Sequence, residues 1–204
     1  MRGKIIQDLK MHKLAFEEAK IPWVLIDGLV LGYVRGNGII PWDTDVDLAV
    51  CKELTSEERD NLLYVIMPKY EFRIKKQEGD FIYGIGKSTI NLWFYHMEGD
   101  YYVSYPRSAP LVKFVEKAEP YDNIQQVEFE GGIYPMPGCL ENYLIDRYGK
   151  NWKTETWSHD DWYKEKRGIG SNASAKIQQD IWVKGRCGKN GDLWPRIVYI
   201  EDAI

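Results

Sequence analysis

The sequence predicts an α+β fold in which a mixed β-sheet carries helices on its faces. Three observations predict it: an amphipathic helical pattern at the start of the chain, a glycine-punctuated segment between two short apolar runs, and a series of strand-like runs from residue 71 onward. With 204 residues, 44% of them hydrophobic, the chain is long enough to bury a core as one domain or as one domain with an appendage.

Residues 4–20 are predicted to form the first helix. Ile5, Leu9 and Phe16 recur at helical spacing, which places them on one apolar face. His12 lies on the same face, and we interpret it as a packed core histidine rather than a catalytic one.

A strand, a turn, a short helix and a second strand are predicted next. Residues 23–27 read as a buried strand, and Gly28 begins the turn into a helix at 29–35. The glycine-rich turn at 36–38 ends that helix. The second strand is predicted at 44–51.

Three aspartates, Asp43, Asp45 and Asp47, occupy alternate positions where this second strand begins. Alternate side chains of a strand point to one face, so the three carboxylates are predicted to converge. Like charges this close are unfavourable without a positive partner. Hard oxygen ligands favour Mg²⁺ or Mn²⁺, which makes the three aspartates candidate metal ligands and catalytic residues.

Parts of these motifs also resemble a calcium loop, a solvated acidic strand edge and a P-loop. A calcium loop is excluded, because Leu48 and Leu54 stand where it needs glycine and glutamate. A solvated acidic strand edge stays open, although such an edge needs no glycine-rich lead-in. Residues 86–89 (GKST) resemble the end of a P-loop, but Phe81 stands at the first glycine position and a strand follows. A P-loop is therefore excluded, while Lys87 remains a candidate phosphate contact.

The rest of the chain predicts further helices and strands. Thr55 and Glu58 form a capping-box pattern that begins a helix at 56–68. Strands are predicted at 71–76, 81–87, 89–96 and 101–105, a strand or hairpin edge at 127–134, and a helix at 139–148. We divide the chain into a core at 1–150 and a Trp-rich extension at 151–204, whose rings either stack on a base or sugar or wrap the tail onto the core; these are Trp152, Trp157, Trp162, Trp182 and Trp194.

Composition narrows the functional classes. The net charge is −4 and the pI is about 5.5, with no long Lys/Arg run, which argues against a nucleic-acid partner. No apolar stretch approaches the length of a membrane span, so we expect a soluble, cytoplasmic protein. Three widely spaced cysteines suggest neither a disulfide framework nor a zinc site.

The order of strand, glycine turn, helix and aspartate strand is that of a nucleotidyltransferase-like core. The residues Asp27-Gly28, Leu31-Gly32, Arg35 and the run 39–48 (IIPWDTDVDL) resemble the signature of the LicD/fukutin family. Residues 127–131 and the string at 137–152 are similar to the closing motif of that family. The tail, with Asn-Gly-x-Leu-Trp-Pro at 190–195, is similar to the end of fukutin in particular.

The resemblance implies a nucleotidyltransferase-type fold and a metal-dependent transferase, because the family includes phosphocholine and ribitol-phosphate transferases. It implies a nucleotide-linked donor, such as a CDP-alcohol, and a glycan hydroxyl as acceptor. Asp45 and Asp47 would be the main ligands of Mg²⁺ or Mn²⁺, with Asp43 near a second metal. Gly28 would belong to the substrate site, and Arg35 would clamp a phosphate with two donors.

Two positions depart from the family pattern. Leu29 replaces the usual hydroxyl residue after the first glycine, and Asn91 stands where an acidic residue is common. Asparagine can coordinate a metal through its carbonyl oxygen but cannot accept a proton as a carboxylate can. Two alternatives stay open. One is transfer of a nucleoside monophosphate from a nucleoside triphosphate; the other, which Asn91 supports, is a lapsed transferase that binds glycans.

Overall fold

The computed structural model of the protein describes residues 1–105, 112–148, 152–153 and 196–199, and excludes the side chains of 112–115 and 196–199. The elements in chain order are α1 (Arg2–Ala19), β1 (Val24–Leu25), α2 (Asp27–Gly36), β2 (Asp45–Val50), α3 (Ser56–Asp60), β3 (Arg73–Glu78), β4 (Phe81–Ile85), β5 (Thr89–Phe94), β6 (His96–Glu98), β7 (Tyr101–Ser104), β8 (Val112–Lys117), α4 (Glu119–Asp122), β9 (Gln125–Phe129), β10 (Gly132–Met136), α5 (Leu140–Tyr148) and β11 (Arg196–Tyr199).

The main sheet has five strands in the order β1-β2-β5-β4-β3. Strand β2 runs parallel to β5, and the other pairs are antiparallel. A second sheet, β11-β8-β7-β6, and the β9–β10 hairpin complete the described strands. The predicted α+β fold with a mixed sheet flanked by helices is confirmed.

Helix α1 covers the main sheet with the apolar face predicted from its sequence. Ile5, Leu9 and Phe16 are fully buried, and Phe16 stacks on Trp23 with the ring centroids 4.9 Å apart. His12 is buried as well, and its Nδ1 lies 2.7 Å from the carbonyl oxygen of the residue one turn earlier. Burial lowers the pKa of His12, so the prediction of a packed histidine is confirmed.

Several predicted boundaries were wrong for physical reasons. Asp27 does not end a strand but begins α2, with a φ of 53° that a strand does not permit. The 56–68 helix begins with the predicted capping box, but α3 passes into a π-helical turn (Asn61–Ile66) and a 3₁₀ turn (Met67–Tyr70). The wider turn brings Leu62, Leu63 and Ile66 onto the core.

The segment predicted at 127–134 as a strand or a hairpin edge forms a hairpin. Glu130 and Gly131 both have positive φ and form the turn between β9 and β10. The sequence did not predict β6, β8, α4 or β11. Trp152 is buried, the other tryptophans of the C-terminal extension lie outside the described residues, and the boundary at residue 150 stays a prediction.

The P-loop-like stretch is a turn held by Asp8 of α1. The Asp8 carboxylate accepts hydrogen bonds from Lys87 N (2.8 Å), Ser88 N (2.6 Å) and Ser88 Oγ (2.6 Å). A Cβ on Gly86 would lie 2.3 Å from Asp8 Oδ1, so a side chain there would displace the Asp8 carboxylate from its hydrogen bonds. This turn sets the start of β5, the strand that carries Asn91.

We predict that Asp8→Ala lowers the free energy of unfolding by about 3 kcal/mol, because three donors lose a charged acceptor. Urea denaturation followed by circular dichroism measures the loss. The control is Gln7→Ala at the adjacent, exposed position, which should leave the free energy of unfolding nearly unchanged. Equal stabilities of the two variants would contradict the assigned role.

Candidate active site

The three aspartates lie where β2 begins. Asp45 is the first residue of the strand and Asp47 follows on the same face, while Val46 and Leu48 are fully buried on the other. Asp43 precedes the strand, in a turn closed by its N–H to Ile40 O (2.9 Å). All three aspartates are only partly exposed, which disfavours a simple solvated edge.

Asn91 lies beside the aspartates on the neighbouring parallel strand. It is the register partner of Asp47, and its Nδ2 donates to Asp45 Oδ2 and to Asp47 Oδ1, each at 2.9 Å. Asn91, which was predicted to replace an acidic residue, therefore bridges the two carboxylates predicted to hold a metal.

Gly28 belongs to the same site because α2 begins against Asp43. A Cβ on Gly28 would lie 2.4 Å from Asp43 Oδ2, so a side chain there would displace the Asp43 carboxylate. Glycine at this position therefore lets the carboxylate pack against the first turn of α2. Its predicted contact with substrate stays a prediction.

Crowding of the carboxylates changes their proton affinity. Burial, followed by the hydrogen bond and the charge of Asp45, raises the pKa of Asp43 to about 8. Burial also raises the pKa of Asp47, as do the charges of Asp45, Asp27 and Asp43, in that order; the hydrogen bond from Asn91 lowers it. The cluster therefore favours bound protons or a bound cation.

A partly buried arginine compensates the fourth carboxylate, Asp27. Arg147 of α5 forms an ion pair through Nε with Asp27 Oδ1, and its Nη2 donates to Asp27 Oδ2 at 2.5 Å. Its Nη1 donates to Glu116 Oε1 of β8 at 2.7 Å. The guanidinium thus joins the start of α2 to the second sheet.

Tyrosine hydroxyls complete this network. Tyr143 Oη donates to Asp27 Oδ1 (3.1 Å) and accepts from Asp27 N (2.8 Å). Tyr95 Oη donates to Glu116 Oε1 (3.0 Å), and Tyr121 Oη donates to Glu116 Oε2. All three tyrosines are buried, so the ionic groups are sealed from water on this side.

Sequence reasoning missed Arg147, Glu116 and the tyrosines as site residues. Burial and the charge of Asp27 raise the pKa of the Tyr148 hydroxyl, Arg147 lowers it, and the charges of Asp47 and Asp43 raise it further. The available signal was an arginine between apolar positions of the helix at 139–148. The sequence alone did not reveal its partner.

Two predicted phosphate contacts have protein partners. Arg35, in the last turn of α2, donates through Nε to Trp152 O at 3.0 Å and through Nη2 to the same oxygen. Lys87 forms an exposed ion pair with Glu71. The structure does not bring either side chain to the aspartates by a described contact, and both phosphate roles stay predictions.

The site fits a hard divalent cation by the chemistry of its donors. Asp45 and Asp47 supply carboxylate oxygens from one strand face, Asp43 lies beside them, and Asn91 has an amide oxygen. A cation would also relieve the repulsion that raises the carboxyl pKa values. In the described part of the chain, no three or more His, Cys, Asp or Glu residues are already arranged as a metal site.

We predict that, in the presence of a chelator, the free energy of unfolding falls as pH rises from about 4 to about 8. The raised pKa of Asp43 means that the folded state holds a proton that the unfolded state has released, and this stabilisation is complete below about pH 4. Asp43→Asn should flatten the decline. Thermal unfolding across pH measures it, with Asp100→Asn, at an exposed position, as control. Identical pH profiles for Asp43→Asn and wild type would contradict the explanation.

Comparisons with known proteins agree with this architecture. A family model described as "LicD/FKTN/FKRP, nucleotidyltransferase domain" matches residues 20–138. No curated protein sequence gives a significant match. None of the described helices has the length and apolar character needed to cross a bilayer.

One solved structure supports the same fold, and a second is similar at a lower score. The solution structure of the antibiotic-resistance factor ANT(2'')-Ia is similar at 14% identity and a TM-score of 0.51, over 88% of this chain and 90% of that chain. The lincomycin-bound crystal structure of the lincosamide antibiotic adenylyltransferase LnuA is similar at 11% identity and a TM-score of 0.49, over 76% and 91%. At such identities the likeness concerns the fold alone.

The family model covers more than half of the 204 residues and includes Asp27, all three aspartates of the cluster and Asn91. The predicted resemblance and the nucleotidyltransferase-like fold are both confirmed. The protein belongs to the LicD/FKTN/FKRP family of nucleotidyltransferase-domain proteins.

Proposed function

We propose that this protein is a metal-dependent transferase that moves a phosphorylated alcohol or sugar from a nucleotide-linked donor, of the CDP type, to a glycan hydroxyl. The observation that carries the proposal is the cluster of Asp43, Asp45 and Asp47, whose charges crowd at one strand end in a chain of this family. Such a cluster is suited to a cation-neutralised phosphate substrate.

Asp45 and Asp47 would hold Mg²⁺ or Mn²⁺, with Asp43 as a further carboxylate beside them. The bound cation would neutralise donor phosphate oxygens and stabilise the charge that develops in the transition state. Val46 and Leu48, buried on the opposite face, fix the strand that presents the two ligands.

The proposed reaction forms a bond between the acceptor hydroxyl oxygen and the phosphorus that bears the alcohol. The bond from that phosphorus to the bridging oxygen breaks, and the nucleoside monophosphate leaves with the electron pair. The hydroxyl proton passes to the Asp43 carboxylate at Oδ2, because Oδ1 accepts the N–H of Thr44 (2.9 Å).

A second candidate is transfer of a nucleoside monophosphate from a nucleoside triphosphate. The description of the family model as a nucleotidyltransferase domain favours it. The two reactions differ in their products, because the first releases nucleoside monophosphate and the second releases pyrophosphate. A lapsed, glycan-binding module would release neither, and Asn91 in the acidic position is the feature that supports it.

We predict that Asp45→Asn and Asp47→Asn each abolish Mn²⁺-dependent binding of a CDP-linked donor while the fold is retained. Each variant removes a ligand charge and also relieves repulsion, so stability without metal should hold or rise. Isothermal titration calorimetry with and without Mn²⁺ measures the binding, and Asp100→Asn serves as the charge-matched control. Unchanged Mn²⁺ dependence in either site variant would refute the ligand assignment.

A separate prediction concerns Arg35, whose two donors now meet the Trp152 carbonyl. Arg35→Lys should lower both the stability and the affinity for the nucleotide-linked donor. The lysine ammonium cannot reproduce the two-donor contact with the Trp152 carbonyl or the predicted two-donor contact with a phosphate. Arg35→Ala should lower both further. Reduced stability with unchanged donor affinity would restrict Arg35 to holding Trp152 in place.

A further inference from the structure

The side-chain amide of Asn91 lies between the two carboxylates that would hold the cation. Its Nδ2 is 2.9 Å from Asp45 Oδ2 and 2.9 Å from Asp47 Oδ1. The opposite orientation would bring the amide oxygen against two carboxylate oxygens, which repel it. The carboxylates therefore select the orientation in which the NH₂ group faces them.

The backbone holds Asn91 at this place. Strand β5 lies between β2 and β4, and Asn91 is the register partner of Asp47 on one side and of Tyr83 on the other. Its neighbours Ile90 and Leu92 are fully buried. The side chain can turn about its own bonds, but the strand cannot withdraw it.

The amide contributes a partial positive charge where a cation would contribute a full one. Its two hydrogens offset part of the repulsion between Asp45 and Asp47, because the Nδ2 group donates to both carboxylates. The same hydrogens would point at a cation held by these oxygens. The amide in this orientation and a cation bound to these two oxygens therefore exclude each other.

We propose that Asn91 is a positioning residue that keeps Asp45 and Asp47 together in place of a cation and makes entry of the cation depend on the nucleotide. This inference rests on the proposed function. To admit the metal, the amide turns its Oδ1 toward it and gives up two hydrogen bonds. Oxygen ligands from the donor's diphosphate offset that loss, so the cation binds well only together with the nucleotide.

Thermodynamic coupling makes the dependence reciprocal. If the nucleotide raises the affinity for the metal, the metal raises the affinity for the nucleotide by the same factor. Two hydrogen bonds of ordinary net strength correspond to about tenfold in affinity or more. A carboxylate at position 91 would remove the amide and supply a permanent ligand, which uncouples metal binding from the nucleotide.

The test measures Mn²⁺ binding to the full chain by electron paramagnetic resonance, with and without CDP. For wild type we expect weak binding of Mn²⁺ alone and about tenfold tighter binding with CDP. Asn91→Ala should bind Mn²⁺ alone more tightly than wild type, because no amide competes. Asn91→Asp should bind it about tenfold more tightly than wild type and show less dependence on CDP.

Asn61→Asp, an exposed substitution that adds the same charge elsewhere, is the control and should match wild type. Weaker Mn²⁺ binding by Asn91→Ala than by wild type would mean that Asn91 is an ordinary ligand and would overturn the inference alone. Mn²⁺ binding by wild type that CDP does not change would also overturn it. Absence of Mn²⁺ binding in every variant, with and without CDP, would overturn the proposed metal site itself. If Asn91→Ala does not fold, the CDP dependence of Asn91→Asp decides.

Discussion

Repulsion among four carboxylates is the constraint on which this site depends. Asp43, Asp45 and Asp27 all raise the pKa of Asp47, so none of these charges is electrostatically independent. Each is compensated differently: Arg147 pairs with Asp27, the Asn91 amide bridges two of the others, and Asp43 holds a proton more tightly than usual. The compensating groups come from α5 and β5, so the aspartate strand alone could not form this arrangement.

The network around Arg147 explains how a strained turn persists at the start of α2. Asp27 has a positive φ, which costs about 1 kcal/mol or more for a residue other than glycine. Its carboxylate meets Arg147, and both its N–H and its carboxylate meet Tyr143. These contacts hold the turn that brings Gly28 against Asp43, so the site's geometry depends on α5 and, through Glu116, on the second sheet.

The sequence predicted what local patterns determine. The spacing of Ile5, Leu9 and Phe16 predicted α1, and alternation along β2 placed Asp45 and Asp47 on one face. Asp27 was misassigned because the apolar run before it reads as a strand, and nothing in that run reveals a positive φ. The capping box was predicted correctly, but the π turn that follows it depends on core packing, which the sequence pattern does not show.

Contacts between segments far apart in the sequence could not be predicted from local patterns. Asn91 and Asp47 are 44 residues apart, and their contact depends on a parallel register that only the folded sheet sets. Arg147 and Asp27 are 120 residues apart, so the arginine read as an ordinary helical residue. Arg35 was expected to contact a phosphate, whereas its described partner is the backbone carbonyl of Trp152, in the predicted C-terminal extension.

The central claim is that this carboxylate site transfers a substituted phosphate from a nucleotide-linked donor. Phosphorus NMR tests it most directly, with CDP-linked alcohols, Mg²⁺ and a panel of glycan acceptors, comparing wild type with Asp45→Asn. We expect CMP and a new phosphodiester signal with wild type and neither signal with Asp45→Asn. Pyrophosphate release from CTP or ATP with intact CDP-linked donors, or no turnover of any donor, would contradict it.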